Sequence, residues 1–154
     1  MPRQYRDRLL VAMAYLAASK SLTVLDCGRQ FDSSVVARAA HGRSAIINQI
    51  RVQRAFICYE AIKLLERTPM GTTPILVLDF LSTFYDENVK MHTRKFLLES
   101  SIKHFQRLSR GGELAVTIHP SPTQDDLYKR LQYSAPQVSV YRTPETDWRQ
   151  LSLI

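Results

Sequence analysis

Ile75-Leu76-Val77-Leu78-Asp79 sets four consecutive aliphatic residues directly before a carboxylate. A run of this kind predicts a strand that is buried on both faces, as strands of a helix-covered parallel sheet are. Pro69, Gly71 and Pro74 interrupt the chain just ahead of it, so the strand is expected to begin at Ile75. The sheet is therefore predicted to be built around this segment.

Similar but less uniform runs lie on either side of this strand. Further strands are predicted at residues 22–26, 114–118 and 138–141. Helix-forming composition or helical spacing of apolar residues predicts helices at residues 9–18, 35–40, 44–50, 61–67, 89–109 and 125–132. Residues 51–56 fit either a continued helix or a strand. Strands alternating with helices indicate an α/β fold with a parallel sheet covered by helices.

The length and composition indicate one globular domain over residues 1–154. The chain has 154 residues, of which 45% are hydrophobic and 23% are charged, enough for one core and too few for two domains. No apolar stretch approaches the roughly 20 residues of a membrane span. Residues 1–20 fit an amphipathic helix better than a cleaved signal peptide. We therefore expect a cytoplasmic protein without a membrane partner.

The charge balance favours an anionic partner. Lys and Arg number 21 against 14 Asp and Glu, which gives a formal charge of +7. Residues 1–77 contain 11 basic and 5 acidic residues, so the excess lies in the N-terminal half. Arginine outnumbers lysine 15 to 6, and a guanidinium pairs bidentately with phosphate or stacks on a base. The pattern favours nucleic acid, although a soluble basic protein without such a partner has the same composition.

Two of the predicted strands end in aspartate, at Asp26 and Asp79. In open parallel sheets ligands bind beyond the carboxyl ends of the strands, where carboxylates hold a metal or the magnesium of a nucleotide. The alternative is that each aspartate accepts backbone N–H groups in the turn after its strand. Cys27 and Cys58 lie in apolar surroundings and are interpreted as core residues.

Residues 22–117 resemble the ATPase core of the RecA-like recombinases, especially the archaeal and eukaryotic branch. Leu22-Thr23-Val24-Leu25-Asp26 followed by Phe31 is similar to that family's strand ending in Asp-x-Glu-Gly-x-Phe. Gln53-Arg54-Ala55-Phe56 is similar to its Ala-Arg-Ala-Phe segment. Residues 75–79, with Ser82, Thr83 and Tyr85, are similar to its Walker B strand and the following Ser-Ala-x-x-Tyr, and residues 114–117 to the strand that leads to its second DNA loop. The resemblance implies a three-layer α/β/α core in which Asp79 is the Walker B-like residue.

The departures from the family concern its catalytic parts. No Walker A motif of glycines followed by Lys and Ser or Thr is present, and the family's first strand and phosphate loop are missing before residue 9. Whether this loop was lost or lies in an upstream segment stays open. Gly28 stands where the family has its catalytic glutamate, and His119-Pro120 stands where it has Asn-Gln. We therefore expect no ATPase activity, no catalytic residue and no cofactor.

By resemblance, the family's two DNA-binding loops correspond to residues 85–95 and 119–129. The first contains Lys90, His92, Arg94 and Lys95 beside Tyr85, which combines cations for phosphate with a ring for stacking. A solvated helix start explains the same residues equally well. A second patch is predicted at Arg29, Arg38 and Arg43, which are candidates for phosphate contacts or for docking onto an acidic partner.

Other sites have weaker sequence support. Arg3, Arg6 and Arg8 are candidates for a cryptic nucleotide site at the start of the first helix. His41, His92, His104 and His119 show no paired spacing typical of a metal site. No Gly-x-Ser-x-Gly motif indicates a hydrolase.

Three functional hypotheses follow. The first is a noncatalytic RecA-like recombinase paralogue that binds DNA, preferably single-stranded, or supports a recombination or repair assembly as a homodimer or with a recombinase-family partner. The second is a magnesium- and nucleotide-binding ATPase-like enzyme or sensor that uses Asp26 and Asp79. The third is a scaffold that binds only protein.

Overall fold

A computed structural model of the chain describes residues 3–123, 125–143 and 146–153. These residues form six α-helices, one short 3-10 helix and six strands. The helices are α1 (Arg3–Ala17), α2 (Ser33–Ala39), α3 (Ser44–Ile47), α4 (Cys58–Arg67), the 3-10 helix (Phe80–Phe84), α5 (Met91–Gly111) and α6 (Asp125–Ser134). The strands are β1 (Leu22–Asp26), β2 (Ile50–Arg54), β3 (Ile75–Leu78), β4 (Leu114–Ile118), β5 (Val138–Thr143) and β6 (Thr146–Leu153).

Most predicted elements are confirmed, and the corrections lie at their ends. The first helix begins at Arg3, six residues earlier than predicted. The predicted helix at 44–50 ends at Ile47, and the undecided segment 51–56 is a strand that starts at Ile50. Strand β3 stops at Leu78 because Asp79 leaves the extended conformation. Strand β6 was not predicted.

The sheet has six strands in the order β2-β1-β3-β4-β6-β5. The first four are parallel, as expected, while β6 runs antiparallel to β4 and β5 antiparallel to β6. The predicted parallel sheet is therefore confirmed for these four strands, and the far end of the sheet, including the predicted strand β5, is antiparallel. Only two residues separate β5 from β6, and so short a connection joins antiparallel strands because a parallel pair needs a crossover of a dozen or more residues.

Helices cover the parallel part of the sheet on both faces, which gives three α/β/α layers. Alternate residues of the strands point to opposite faces, so Val24 and Leu78 pack against Leu10 of α1. Leu25 and Val77 pack in a second cluster with α4, α5, α6 and the 3-10 helix. Each face of the sheet therefore has its own core.

The chain changes direction across the sheet between β1 and β3. After β1 it crosses to β2 through α2 on one face, and after β3 it crosses to β4 through α5 on the other face. The two strands are neighbours, with Asp26 paired to Leu78 at their carboxyl ends. In open α/β sheets such a switch point opens a crevice that commonly receives a ligand. We call the side of the sheet at the carboxyl ends of β1 to β4 the strand-end edge.

Within the described ranges, none of the helices combines the length and the apolar character that crossing a bilayer requires.

Candidate functional site

Asp79 lies at the switch point in a left-handed backbone conformation, with φ 55° and ψ 49°. A residue other than glycine in this region costs of order 1 kcal/mol and persists where the surroundings hold it in place. Its backbone amide donates a hydrogen bond of 2.8 Å to Oγ1 of Thr117 on β4. The end of β3 is thereby tied to β4, and the Asp79 side chain turns back over the end of β1.

The Asp79 carboxylate is buried and bonded by neighbouring side chains. Its Oδ1 contacts Nδ1 of His119, and its Oδ2 accepts hydrogen bonds from Oγ of Ser82 at 2.7 Å and Nε2 of Gln30 at 3.4 Å. The Tyr85 hydroxyl donates to the His119 carbonyl oxygen, and the two rings meet edge to face at 5.6 Å. We call Gln30, Asp79, Ser82, Tyr85 and His119 the strand-end cluster. Both carboxylate oxygens are already bonded to side chains of this chain, so a magnesium ion would have to displace those side chains.

Gly28 explains how Asp79 fits in this position. A Cβ atom added at Gly28 would lie 2.2 Å from Oδ2 of Asp79, far closer than real Cβ contacts. The glutamate that the family resemblance implies at this position is therefore sterically incompatible with the observed Asp79 conformation. Any residue with a Cβ at position 28 would therefore displace the Asp79 carboxylate from the observed position.

Asp26 organises the loop after β1. Its Oδ1 accepts backbone N–H groups of Gly28 at 3.3 Å and Gln30 at 2.9 Å, and its Oδ2 accepts that of Phe31 at 2.9 Å. Nε of Arg54 lies 3.5 Å from the same Oδ2. This geometry supports the second interpretation of the sequence, in which the aspartate accepts backbone groups in the turn.

The two cysteines are buried, as expected. Burial raises the pKa of the Cys27 thiol far above its usual range, and the nearby Asp26 and Asp79 raise it further. Burial also raises the pKa of Cys58. Thiols kept protonated in this way are poor nucleophiles and poor metal ligands.

The residues predicted in the first DNA loop separate into two groups. Arg94 is buried, and its Nη1 donates a hydrogen bond of 3.1 Å to the Phe84 carbonyl oxygen, so it braces the 3-10 helix and does not face a phosphate. Tyr85 belongs to the strand-end cluster. In contrast, Lys90, His92 and Lys95 are exposed at the start of α5. Lys95 lies 3.6 Å from Asp126 in a surface ion pair, the kind of pair that contributes little stability.

The three arginines of the predicted second patch, Arg29, Arg38 and Arg43, are all exposed and lie on different segments of the chain. Arg29 lies in the loop after β1 at the strand-end edge. Arg38 and Arg43 are exposed near the end of α2 and before α3, where the chain returns to the opposite edge and the Gln49 carbonyl accepts the Leu22 amide. Arg38 belongs to the last turn of α2, and Arg43 follows that helix.

The sequence analysis did not identify Phe56 as a partner of Arg29. The guanidinium carbon lies over the Phe56 ring at 5.1 Å from its centroid, and the ring is 55% exposed. Arg54 and the exposed Tyr59 lie on either side of Phe56 in sequence. We call Arg29, Arg54, Phe56 and Tyr59 the Phe56 patch. The segment from Arg54 to Tyr59 interleaves a cation with aromatic residues, and that signal was available in the sequence.

The N-terminal arginines mostly face acidic side chains. Arg6 lies 2.8 Å from Asp7 and 3.9 Å from Asp32, and Arg3 lies 3.9 Å from Asp7. Arg8 is exposed. Arg3 and Arg6, two of the three residues predicted to bind phosphate, are thus already paired with carboxylates of this chain. Among the residues that the structure describes, no three His, Cys, Asp or Glu side chains are grouped so that they could hold a metal ion.

The strand-end edge therefore combines a closed polar cluster at its centre with exposed cations and aromatic rings around it. In the Phe56 patch, Arg29 and Phe56 lie in the loops after β1 and β2, Arg54 is the last residue of β2, and Tyr59 lies in the first turn of α4. Lys90, His92 and Lys95 lie where α5 begins. A comparison of the chain with protein-family models finds no match, and a comparison with curated proteins finds none either.

Proposed function

We propose that this protein is a noncatalytic, RecA-like recombinase paralogue that binds single-stranded DNA along the strand-end edge. The observation that carries the proposal is the exposed combination of cations and aromatic rings at that edge, above all Arg29 over Phe56. Proteins that bind single strands combine a basic surface for the phosphates with aromatic side chains for the bases. Arg29, Arg54, Lys90 and Lys95 supply the permanent charges, and Phe56 and Tyr59 supply the rings.

The proposal excludes phosphoryl transfer. That reaction needs phosphate-binding amides, a lysine and a residue that orients water, and the sequence carries no Walker A motif. Both oxygens of Asp79 are engaged by His119, Ser82 and Gln30. These contacts support a structural role for the Walker B-like carboxylate.

A salt titration tests DNA binding. We expect a labelled single-stranded oligonucleotide to bind with an affinity that falls as salt rises. Four phosphate contacts predict a log-log slope of about −3, since each contributes about 0.7 on single strands. The affinity should be the same with and without ATP and magnesium. No binding at low salt would contradict the proposal, and binding that requires ATP would favour the nucleotide-dependent alternative.

Thermal unfolding with magnesium and ATP tests that alternative separately. A ligand at about 100 times its dissociation constant adds roughly 2.7 kcal/mol to the free energy of unfolding. We expect no upward shift of the midpoint, because the Asp79 carboxylate already has partners. A clear shift would favour a nucleotide sensor.

A protein-only scaffold is the second candidate. Strand β2 is at the end of the strand order, and an edge strand presents unpaired backbone groups to another chain. A protein that fails to bind oligonucleotide yet sediments as a dimer would favour this candidate.

A further inference from the structure

Phe56 and Arg29 form an exposed pair held by two neighbouring loops. The guanidinium carbon lies 5.1 Å from the ring centroid, and 55% of the phenylalanine remains exposed. A cation over a ring is worth about 0.5–1 kcal/mol at an exposed site. Arg29 therefore covers part of the ring and leaves the rest open to a planar ligand.

The backbone on both sides of the pair is fixed before any ligand arrives. The Phe56 amide donates a hydrogen bond of 2.8 Å to Oε2 of Glu60, and the Ala55 amide donates one of 3.1 Å to the Asp26 carbonyl oxygen. Arg29 has φ 55°, a conformation that costs a residue other than glycine about 1 kcal/mol or more. A glycine at this position would avoid that cost.

The chemistry of the pair suits a nucleotide with an accessible base. An aromatic face stacks on any base, and a guanidinium both stacks and pairs with phosphate oxygens. Arg54, two residues before Phe56 in the sequence, adds a second cation that is half exposed despite its contact with the buried Asp26.

We infer that Phe56 is a base-stacking platform for single-stranded nucleic acid, with Arg29 binding the phosphate next to the stacked base. This inference rests on the proposed function. It attributes the preference of the protein for single strands over duplex to the Phe56 ring. A duplex keeps its bases stacked on each other, so it can use the cations of the edge but not the platform.

The test compares two labelled single strands of about 15 nucleotides, within the range of site sizes of single-strand binders. One is oligothymidine, and the other has the same length and phosphates with abasic sugars. Stacking on one base predicts that the wild-type protein binds oligothymidine about 5- to 150-fold more tightly, since one stacked base is worth about 1–3 kcal/mol. Equal binding of both strands would overturn the inference while leaving the proposed function intact. Binding of neither strand would contradict the proposed function and the inference with it.

Variants locate the effect at the ring. Phe56→Ala and Phe56→Leu should both lose the preference for oligothymidine with the salt slope unchanged, because neither removes a charge. Tyr15→Ala is the matched control: this tyrosine is 73% exposed on α1, which leads into the amino end of β1. It should bind like the wild type. Arg29→Ala should lower the magnitude of the slope by about 0.7.

A protein partner is the competing explanation of the same patch. In that case Phe56→Leu would bind both strands with the same affinities as the wild-type protein, and it would shift towards monomer in sedimentation. This result would overturn the inference and assign the ring to a protein interface. Circular dichroism of each variant tests whether it is folded. The comparison of the two strands uses the wild-type protein, so the inference is tested even if a variant fails to fold.

Discussion

The strand-end cluster and the Phe56 patch lie on the same edge of the sheet, but they differ in how far their polar and aromatic groups are buried and bonded within the chain. In the cluster, the buried Asp79 carboxylate has a partner on each oxygen within the chain. In the patch, Arg29 is exposed and its ring partner is more than half open to solvent. The usual ligand position of an open α/β sheet is thus filled by the protein itself, and the groups free to meet a ligand lie beside it.

This difference separates stability from binding. Buried polar groups that lose a partner cost about 1–3 kcal/mol each, so changes in the cluster should act on the free energy of unfolding. Exposed cations contribute little to stability but directly to phosphate binding. Changes of the exposed Phe56, Lys90 or Lys95 should therefore act mainly on affinity.

Gly28→Ala should give the largest loss of stability. Its Cβ would overlap Oδ2 of Asp79, so the carboxylate must leave its three partners, and we expect a cost of about 3 kcal/mol. Gly71→Ala is the matched control, because a Cβ there meets nothing within 4 Å. Urea unfolding measures both. Equal midpoints for the two variants would show that Asp79 is not fixed as described.

Thr117→Val should cost about 2 kcal/mol, because it keeps the shape of the side chain and leaves the buried Asp79 amide without an acceptor. Thr73 is exposed, so the control variant Thr73→Val should have the same free energy of unfolding as the wild type. The readout is again the free energy of unfolding. Unchanged stability of Thr117→Val would mean that β4 does not hold the end of β3.

Lys90→Ala should weaken oligonucleotide binding about fivefold at 0.1 M salt and leave the unfolding midpoint in place. One lost phosphate contact lowers the magnitude of the salt slope by about 0.7. Lys63→Ala removes an exposed charge within α4 and should bind like the wild type. Identical salt slopes for the two variants would remove Lys90 from the interface.

Asp32→Ala should give the smallest effect, a fall of the thermal midpoint by a few degrees at neutral pH. The Asp32 side chain caps α2 by accepting from Ser34, and these hydrogen bonds lower its pKa below 3.8. The charged Asp32 carboxylate stabilises the fold at pH values above its ordinary pKa, and this stabilisation is lost as the pH falls through the lowered pKa. Wild type and variant should thus converge in strong acid. A difference that does not shrink as the pH falls through the lowered pKa would show that the carboxylate charge is not involved.

The central strands could be predicted from sequence because burial on two faces leaves an almost uninterrupted aliphatic run, as at residues 75–78. Residues 51–56 could not be assigned, since β2 lies at the sheet edge and has no such run. The antiparallel β6 was missed because the pairing of terminal strands depends on long-range contacts.

The candidate site was predictable only in its position. The carboxylates at Asp26 and Asp79 were expected at strand ends, and both are there. The burial of Arg94 was not predicted, because exposure of a helix residue depends on what packs against that face. The stacking of Arg29 on Phe56 joins two loops 27 positions apart in sequence, and single-sequence reasoning has no signal for such a contact.

If the proposed function holds, the exposed groups of the strand-end edge bind DNA and the strand-end cluster does not. We would compare two variants: the triple variant Phe56→Ala, Lys90→Ala, Lys95→Ala and the single variant Thr117→Val. For each we would measure the affinity for single-stranded oligothymidine and the midpoint of unfolding. We predict that the triple variant loses most of its affinity and keeps its midpoint, while Thr117→Val loses stability and binds like the wild type at temperatures where it is folded. Wild-type affinity in the folded triple variant, or lost affinity in folded Thr117→Val, would show that DNA does not bind through the exposed groups alone.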